Sequence, residues 1–226
     1  MKPIAIIPAR GGSKRLKNKN IKFFFGKSIL QRTIETIKKS KIFSKIILSS
    51  DSKKIINLSK KLKVDSVIVR QGYLASNEAK TIEVIKDVIK KIDYKNYDFV
   101  CCIYPCNPLL SIINLKKTFK LIKKKNKKFI FPISEYPHPI ERAFVLKKDN
   151  QIKFLRKKNA DLNTQNFKKK YHDSGQFYWG STLTWIKEHS IHNNSIGYII
   201  PRYKTVDIDT SEDWEMAKIL FKGLKT

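Results

Sequence analysis

At 226 residues, with 48 lysines and arginines against 19 aspartates and glutamates, the chain has a formal charge of +29 and a pI near 10.0. The length suits one domain with a substantial core. No apolar run is long enough for a signal segment or a membrane span, so a soluble, cytoplasmic protein with no membrane partner is expected.

The charge would ordinarily point to nucleic acid. Only seven of the basic residues are arginine, however, the residue that bidentate phosphate and base readout favours. The densest lysine run, from Lys116 to Lys128, is interleaved with Leu115, Phe119, Leu121 and Ile122 at helical spacing. It reads as the solvated face of an amphipathic helix, and no nucleic-acid partner is expected. A basic nucleic-acid-binding module without catalysis is the alternative of another class; it would announce itself by a steep salt dependence of binding. Cys101, Cys102 and Cys106 have no nearby histidine to complete a zinc site and read as free thiols.

In chain order, Ile4 to Ile7 is an apolar strand, Pro8 to Asn20 a turn-rich loop, and Ser28 to about Lys39 a helix. Short apolar runs at Ile46 to Leu48 and Val67 to Val69 flank a helix from Lys53 to Leu62. A helix from about Thr81 to Ile92 leads to Phe99 to Ile103, apolar throughout, and the lysine-rich helix leads to Phe129 to Phe131. Continuous apolar strands alternating with helices predict a Rossmann-like α/β fold, a mostly parallel sheet flanked by helices, with ligands beyond the carboxyl ends of the strands. The rhythm breaks from about 135 to 171, where Ala143 to Leu146 and Ile152 to Leu155 form a possible hairpin. That stretch reads as a small inserted subdomain within a single domain spanning 1–226. The chain returns through Gln176 to Trp179, a helix near Leu183 to Glu188 and a helix from about Ser211 to Phe221.

The loop after the first strand holds Arg10, Gly11, Gly12, Ser13, Lys14, Arg15 and Lys19, so glycine-freed amides and cations could receive a triphosphate. It is not a P-loop, because Gly26-Lys27-Ser28 finds Ile21 where a glycine is required, and no G-x-G-x-x-G occurs. Asp207 and Asp209 are two apart; on an extended strand they share a face and can share a hard cation. Equally, Asp209 or Thr210 could cap the following helix, with Asp213 in its first turn.

The spelling Ile7-Pro8-Ala9-Arg10-Gly11-Gly12-Ser13-Lys14, followed by Lys19-Asn20-Ile21, resembles the signature of the CMP-sialic acid synthetase family of cytidylyltransferases. Ser49-Ser50-Asp51, Arg70 with Leu74-Ala75, and Val206 to Thr210 extend the resemblance along nearly the whole chain. Cys101 to Tyr104 and Tyr171 to Gly180 are similar to the family's pseudaminic acid branch. The resemblance implies a CTP-dependent enzyme that joins CMP to a nine-carbon sugar acid and releases pyrophosphate. Pseudaminic acid is the expected substrate, with N-acetylneuraminate or legionaminate as alternatives.

It implies a Mg²⁺ cofactor held by Asp207 and Asp209, and a homodimer formed largely by the inserted segment. Arg10, Lys14 and Lys19 become the catalytic cations. Gly11, Gly12 and Ser13 join them around the triphosphate, and Asn20, Arg70 and Thr81 contact the cytidine. Tyr104, Arg142, Gln176 and Tyr178 fall to the sugar. His172 could serve as a general base, but a lone histidine beside Asp173 reads as a structural or orienting residue. The chain departs from the family pattern at Gln71, Asn77 and Asn163-Thr164, where an arginine is missing and Arg142 is the substitute.

Overall fold

The computed structural model describes residues 1–13, 15–124, 128–156 and 163–224. The elements follow in chain order: β1 (Pro3–Pro8), β2 (Phe23–Phe24), β3 (Lys27–Ser28), α1 (Ile29–Ser40), β4 (Lys45–Ser50) and α2 (Lys53–Lys61). Next come β5 (Ser66–Val69), α3 (Thr81–Lys90), β6 (Phe99–Ile103), α4 (Ile112–Lys124), β7 (Phe129–Glu135), β8 (Phe144–Leu146) and β9 (Ile152–Phe154). The remainder is β10 (Tyr171–Asp173), β11 (Phe177–Ser181), α5 (Thr182–Lys187), β12 (Ile196–Ile199) and α6 (Ser211–Gly223).

The main sheet runs β10-β7-β11-β6-β1-β4-β5, with β12 also pairing with β7. β6, β1, β4 and β5 are mutually parallel, as is β12 with β7, while β11 and β10 join antiparallel. The sheet is therefore mixed and mostly parallel. Its central strands are apolar throughout because both faces are covered, and the period of two sorts their side chains. In β1, Ala5 and Ile7 join Leu30, Ile34 and Leu115 on one face, while Ile4 and Ile6 join Ile85, Val88 and Trp185 on the other. Adjacent Cys101 and Cys102 part the same way, each buried as a small apolar side chain without a disulfide.

Helix α1 starts where Ser28 Oγ accepts from the Gln31 amide at 3.2 Å, and it buries Leu30, Ile34 and Ile37. Helix α4 buries Leu115, Thr118 and Ile122 and leaves Lys116, Lys117 and Lys120 exposed. The lysines of the run that lie within α4 thus form a solvated face, while residues 125–127 of the run lie outside the described residues.

A third, smaller cluster matters most for function. Leu16 from the loop after β1, Phe24 from β2 and Ile29 from α1 pack with Ile208, Trp214 and Ala217. The Phe24 and Trp214 rings meet edge to face, 5.3 Å apart. This contact draws the segment before α6 against the loop after β1.

Several elements differ from expectation, among them β10 and β12, strands that the apolar runs did not mark. The two-residue ladder of β2 and β3 is too short to leave a periodic signal. Strand β7 continues through Pro132, where one edge of it changes partner from β11 to β10 and the Ser174 amide donates to the Pro132 carbonyl at 3.1 Å. In the inserted stretch, β8 and β9 pair antiparallel, and the Leu155 amide donates to the Ala143 carbonyl at 2.9 Å, extending the hairpin to the expected bounds. Among the described residues no helix is long and apolar enough to cross a membrane.

Candidate active site

Beyond the carboxyl ends of β1, β5 and β6, where Pro8, Arg70 and Tyr104 stand, lies a cavity of about 290 Å³. Arg10, Lys19, Asn20, Arg70, Thr81, Tyr104 and Asp207, all expected site residues, line it together with Asn77 and Cys106. A second cavity of about 260 Å³ shares Arg10, Lys19, Asn20 and Asn77 and adds Ser13, Arg15 and Asp209. A third, of about 560 Å³, adjoins the first through Thr81 and Tyr104 and is lined further by Tyr178, His189, Ile191 and His192. Lys14 lies outside the described residues.

Asp209 meets the cations at the second cavity, while Asp207 lines the first. Lys19 Nζ donates to the Ile208 carbonyl at 2.5 Å and to Asp209 Oδ1 at 3.1 Å, while Arg15 Nη2 pairs with Asp209 Oδ2 at 2.7 Å. Burial of Leu16 and Ile208 in one cluster creates this meeting, because each carries its neighbours with it. Arg15 is a site residue that sequence reasoning left inside the loop without a role.

Asp207 and Asp209 do not lie on a ladder strand; residues 205–209 are irregular, with Ile208 buried between the two aspartates. Capping of α6 falls to Thr210, whose Oγ1 accepts from the Asp213 amide at 3.2 Å, while Asp213 Oδ2 accepts from the Thr210 amide at 2.8 Å. Asp209 is thereby left to the cations. Burial first, and then the charge of Asp209, push the Asp207 carboxyl above the ordinary range, although much of the residue remains exposed at the cavity mouth. Two mutually repelling carboxylates at one wall suit a hard cation. Among the described residues no third His, Cys, Asp or Glu joins them, so substrate oxygens and water would complete the shell, as Mg²⁺ prefers.

The expected cytidine contacts are specific in their polarity. Asn20 donates through Nδ2 to the Arg10 carbonyl at 2.8 Å, and its Oδ1 is buried without a protein partner. Arg70 is buried, donates through Nη2 to the Ser49 carbonyl at 3.2 Å, and keeps an unpartnered Nε. Desolvation lowers its pKa, with the Asp51 carboxylate opposing that shift. Thr81, the first residue of α3, shares a 2.8 Å hydrogen bond with the Tyr104 hydroxyl, whose pKa burial pushes up to about 12. Arg10 Nη1 donates to Asn77 Oδ1, so the amide that departs from the family pattern still supplies an acceptor.

Not every expected residue arrives. The Gly11 amide donates to Asp51 Oδ1 at 2.9 Å and does not point at a ligand, and Gly12 is exposed with open space around its Cα. Gln176 is buried, donates to the Lys204 carbonyl at 2.7 Å, and lines none of the three cavities. Arg142 stands in a short 3-10 turn of the inserted stretch, away from those linings. His172 directs Nδ1 at the Asp173 carbonyl, 2.9 Å away, consistent with an orienting role. The histidine that pairs with the Asp173 carboxylate is His192, 3.1 Å from Oδ2, which also accepts from the Tyr178 hydroxyl at 2.9 Å. That triad joins residues up to 19 positions apart, beyond any local motif.

A mostly parallel sheet whose strands end at a cationic loop opposite paired carboxylates is the architecture of a nucleotide-binding transferase. The chain belongs to the cytidylyltransferase family, whose sequence profile matches residues 4–225. It is 39% identical over 225 residues to the pseudaminic acid cytidylyltransferase of Campylobacter jejuni, covering 98% of this chain and 97% of that one. Against the N-acylneuraminate cytidylyltransferase of Escherichia coli the identity is 27% over 223 residues, covering 96% of this chain and 51% of that one. Among solved structures, a CMP:2-keto-3-deoxy-manno-octonic acid synthetase complexed with CTP superposes with a TM-score of 0.74. It is 14% identical, and 99% of this chain and 100% of that chain are covered.

Proposed function

We propose that this protein transfers CMP from CTP to the anomeric hydroxyl of pseudaminic acid, forming CMP-pseudaminic acid and pyrophosphate. The observation that carries the reading is the meeting of Arg15 and Lys19 with Asp209 in a cavity that shares Arg10, Lys19 and Asn20 with the neighbouring one lined by Asp207, Arg70, Thr81 and Tyr104. The choice of sugar draws on the greater identity to the pseudaminic acid relative than to the N-acylneuraminate one.

In this reading the base and ribose lie against Asn20, Arg70 and Thr81, where an unpartnered carbonyl oxygen and an unpartnered guanidinium N–H offer one acceptor and one donor. The triphosphate tail extends into the second cavity beside Arg10, Ser13, Arg15 and Lys19. Attack by the sugar hydroxyl on the α-phosphorus forms the new P–O bond as the bond to the β-phosphate breaks, and the hydroxyl proton passes to solvent water. The electron pair leaves with pyrophosphate, whose growing charge Arg10 and Lys19 stabilise in place. Asp207 and Asp209 would hold Mg²⁺, which when bound would supply neutralisation of phosphate charge and a lowered pKa for the attacking hydroxyl. Tyr104 and Tyr178, both neutral phenols because burial raises their pKa, offer hydroxyls to the sugar.

The inserted segment from about 135 to 171 forms a homodimer interface in the same proposal. Its support is apolar surface on the hairpin, where Leu146 is 65% and Ile152 63% exposed.

Pyrophosphate release from CTP with a panel of sugar acids, with mass spectrometry of the product, tests the reading. Turnover is expected to be largest with pseudaminic acid. Faster turnover with N-acetylneuraminate overturns the sugar, and no pyrophosphate with any acid overturns the reaction.

A further inference from the structure

We infer that Asp51 is a positioning residue of this site: together with Asn20 it clamps the one peptide unit that joins Arg10 to Gly11, and so sets the direction of the Arg10 guanidinium. The inference rests on the reading of Arg10 as a pyrophosphate-facing group, although the clamp itself is a matter of geometry.

Both hydrogen bonds fall on the same peptide group. Its carbonyl, from Arg10, accepts from Asn20 Nδ2 at 2.8 Å, and its N–H, from Gly11, donates to Asp51 Oδ1 at 2.9 Å. A peptide is planar, so holding both its polar ends fixes the plane and with it the bond leaving the Arg10 Cα. The side chain is then held at its far end by Asn77, which accepts from Nη1. Glycine at position 11 is what allows the approach, since a Cβ there would lie 2.7 Å from Ser52 Cβ. The other side of the clamp is firm: the Ser50 hydroxyl accepts from the Ser52 amide at 3.1 Å, and Ser52 caps α2.

Asp51 lines none of the three cavities and so touches no substrate placed in them. It acts through the backbone. A carboxylate is an acceptor only and gives the amide a charge-assisted bond, stronger than a neutral one.

Asp51→Ala, Asp51→Asn and Gly11→Ala, with Arg10→Ala alone and combined with Asp51→Ala, test this. Losing a charge-assisted bond of this kind is expected to lower kcat about tenfold in Asp51→Ala, with KM for CTP changing less than about threefold. Asp51→Asn, which keeps an acceptor oxygen in place, should stay within about threefold of the parent. Gly11→Ala should reproduce the loss with Asp51 intact. In the Arg10→Ala background, removing Asp51 should cost less than about twofold, because the two residues act as one unit.

Hydrogen exchange at the Gly11 amide reads the clamp without substrate: it should accelerate in Asp51→Ala and stay slow in Asp51→Asn. Unchanged Gly11 exchange in Asp51→Ala, losses that multiply across the double variant, or Asp51→Asn as damaged as Asp51→Ala would each overturn the inference. Full activity in Arg10→Ala with altered Gly11 exchange would instead overturn the role given to Arg10 and leave the clamp standing.

Discussion

The loop of residues 8–20 and the hairpin formed by β8 and β9 are both breaks in the alternation of strand and helix, but they are finished differently. The loop is rich in glycine and lysine and carries two buried apolar residues, Ala9 and Leu16, yet its own chain holds it from several sides. Leu16 enters the third cluster, Asn20 and Asp51 grip one peptide, and Asp209 takes Arg15 and Lys19. The hairpin is rich in apolar residues and has a regular ladder, yet Leu146 and Ile152 lie open to solvent. Order in an irregular segment thus depends less on its own regularity than on whether partners elsewhere in the chain meet its polar and apolar groups.

The sharpest way to break this contrast is to remove the anchor beneath the loop. Trp214→Ala, which empties the centre of the third cluster, is expected to cost about 3–5 kcal/mol of stability, read by denaturant unfolding. A loss below about 1 kcal/mol would mean that the cluster does not hold the loop. Next in size is Arg10→Ala, expected to cost about 3 kcal/mol of transition-state stabilisation, roughly a hundredfold in kcat, with a smaller change in KM for CTP. An effect confined to KM would make the loop a general attractor of anions.

The hairpin is predicted to respond in association and not in folding. Leu146→Asp with Ile152→Asp should change the stability of a single chain by less than about 0.5 kcal/mol, as expected for exposed positions, while shifting light scattering from dimer to monomer. An unaltered dimer would remove the hairpin from the interface. Smallest of all, Lys116→Ala, Lys117→Ala and Lys120→Ala should leave kcat/KM for CTP within about twofold, because solvated charges far from the site are screened by salt. A loss equal to that of Arg10→Ala would restore a role for the basic helix.

Much of the fold was legible because burial on both faces writes itself into the chain as apolar runs, and β1, β4 and β6 are such runs. Pro132 hid the second half of β7, since a proline inside a strand is acceptable only at a change of partner, which is a fact of topology. In the site, Arg10, Lys19, Asn20, Arg70, Thr81, Tyr104, Asp207 and Asp209 were legible from motif and resemblance, and they do meet. Asp51, Arg15 and the pairing of Asp173 with His192 were not, because each depends on a contact between distant segments. The surroundings of Gly11 and Gln176 were hidden for the same reason: the Gly11 amide donates to Asp51 and Gln176 Nε2 donates to the Lys204 carbonyl, while Gln176 Oε1 stays buried without a protein partner.

The third cluster also bears on how the protein reaches this state. Lys19 and the carbonyl it binds at Ile208 are 189 positions apart, and every strand of the main sheet except β1 lies between them. A contact of that span adds to the contact order and repays its loop-closure entropy only after the intervening strands have paired. During synthesis the cationic loop is therefore made early and waits, its lysines and arginines unanswered, until Asp209 and the face of α6 emerge. The contacts of Arg15 and Lys19 with Asp209 are thus among the last that the chain can close, because they wait on the segment before α6.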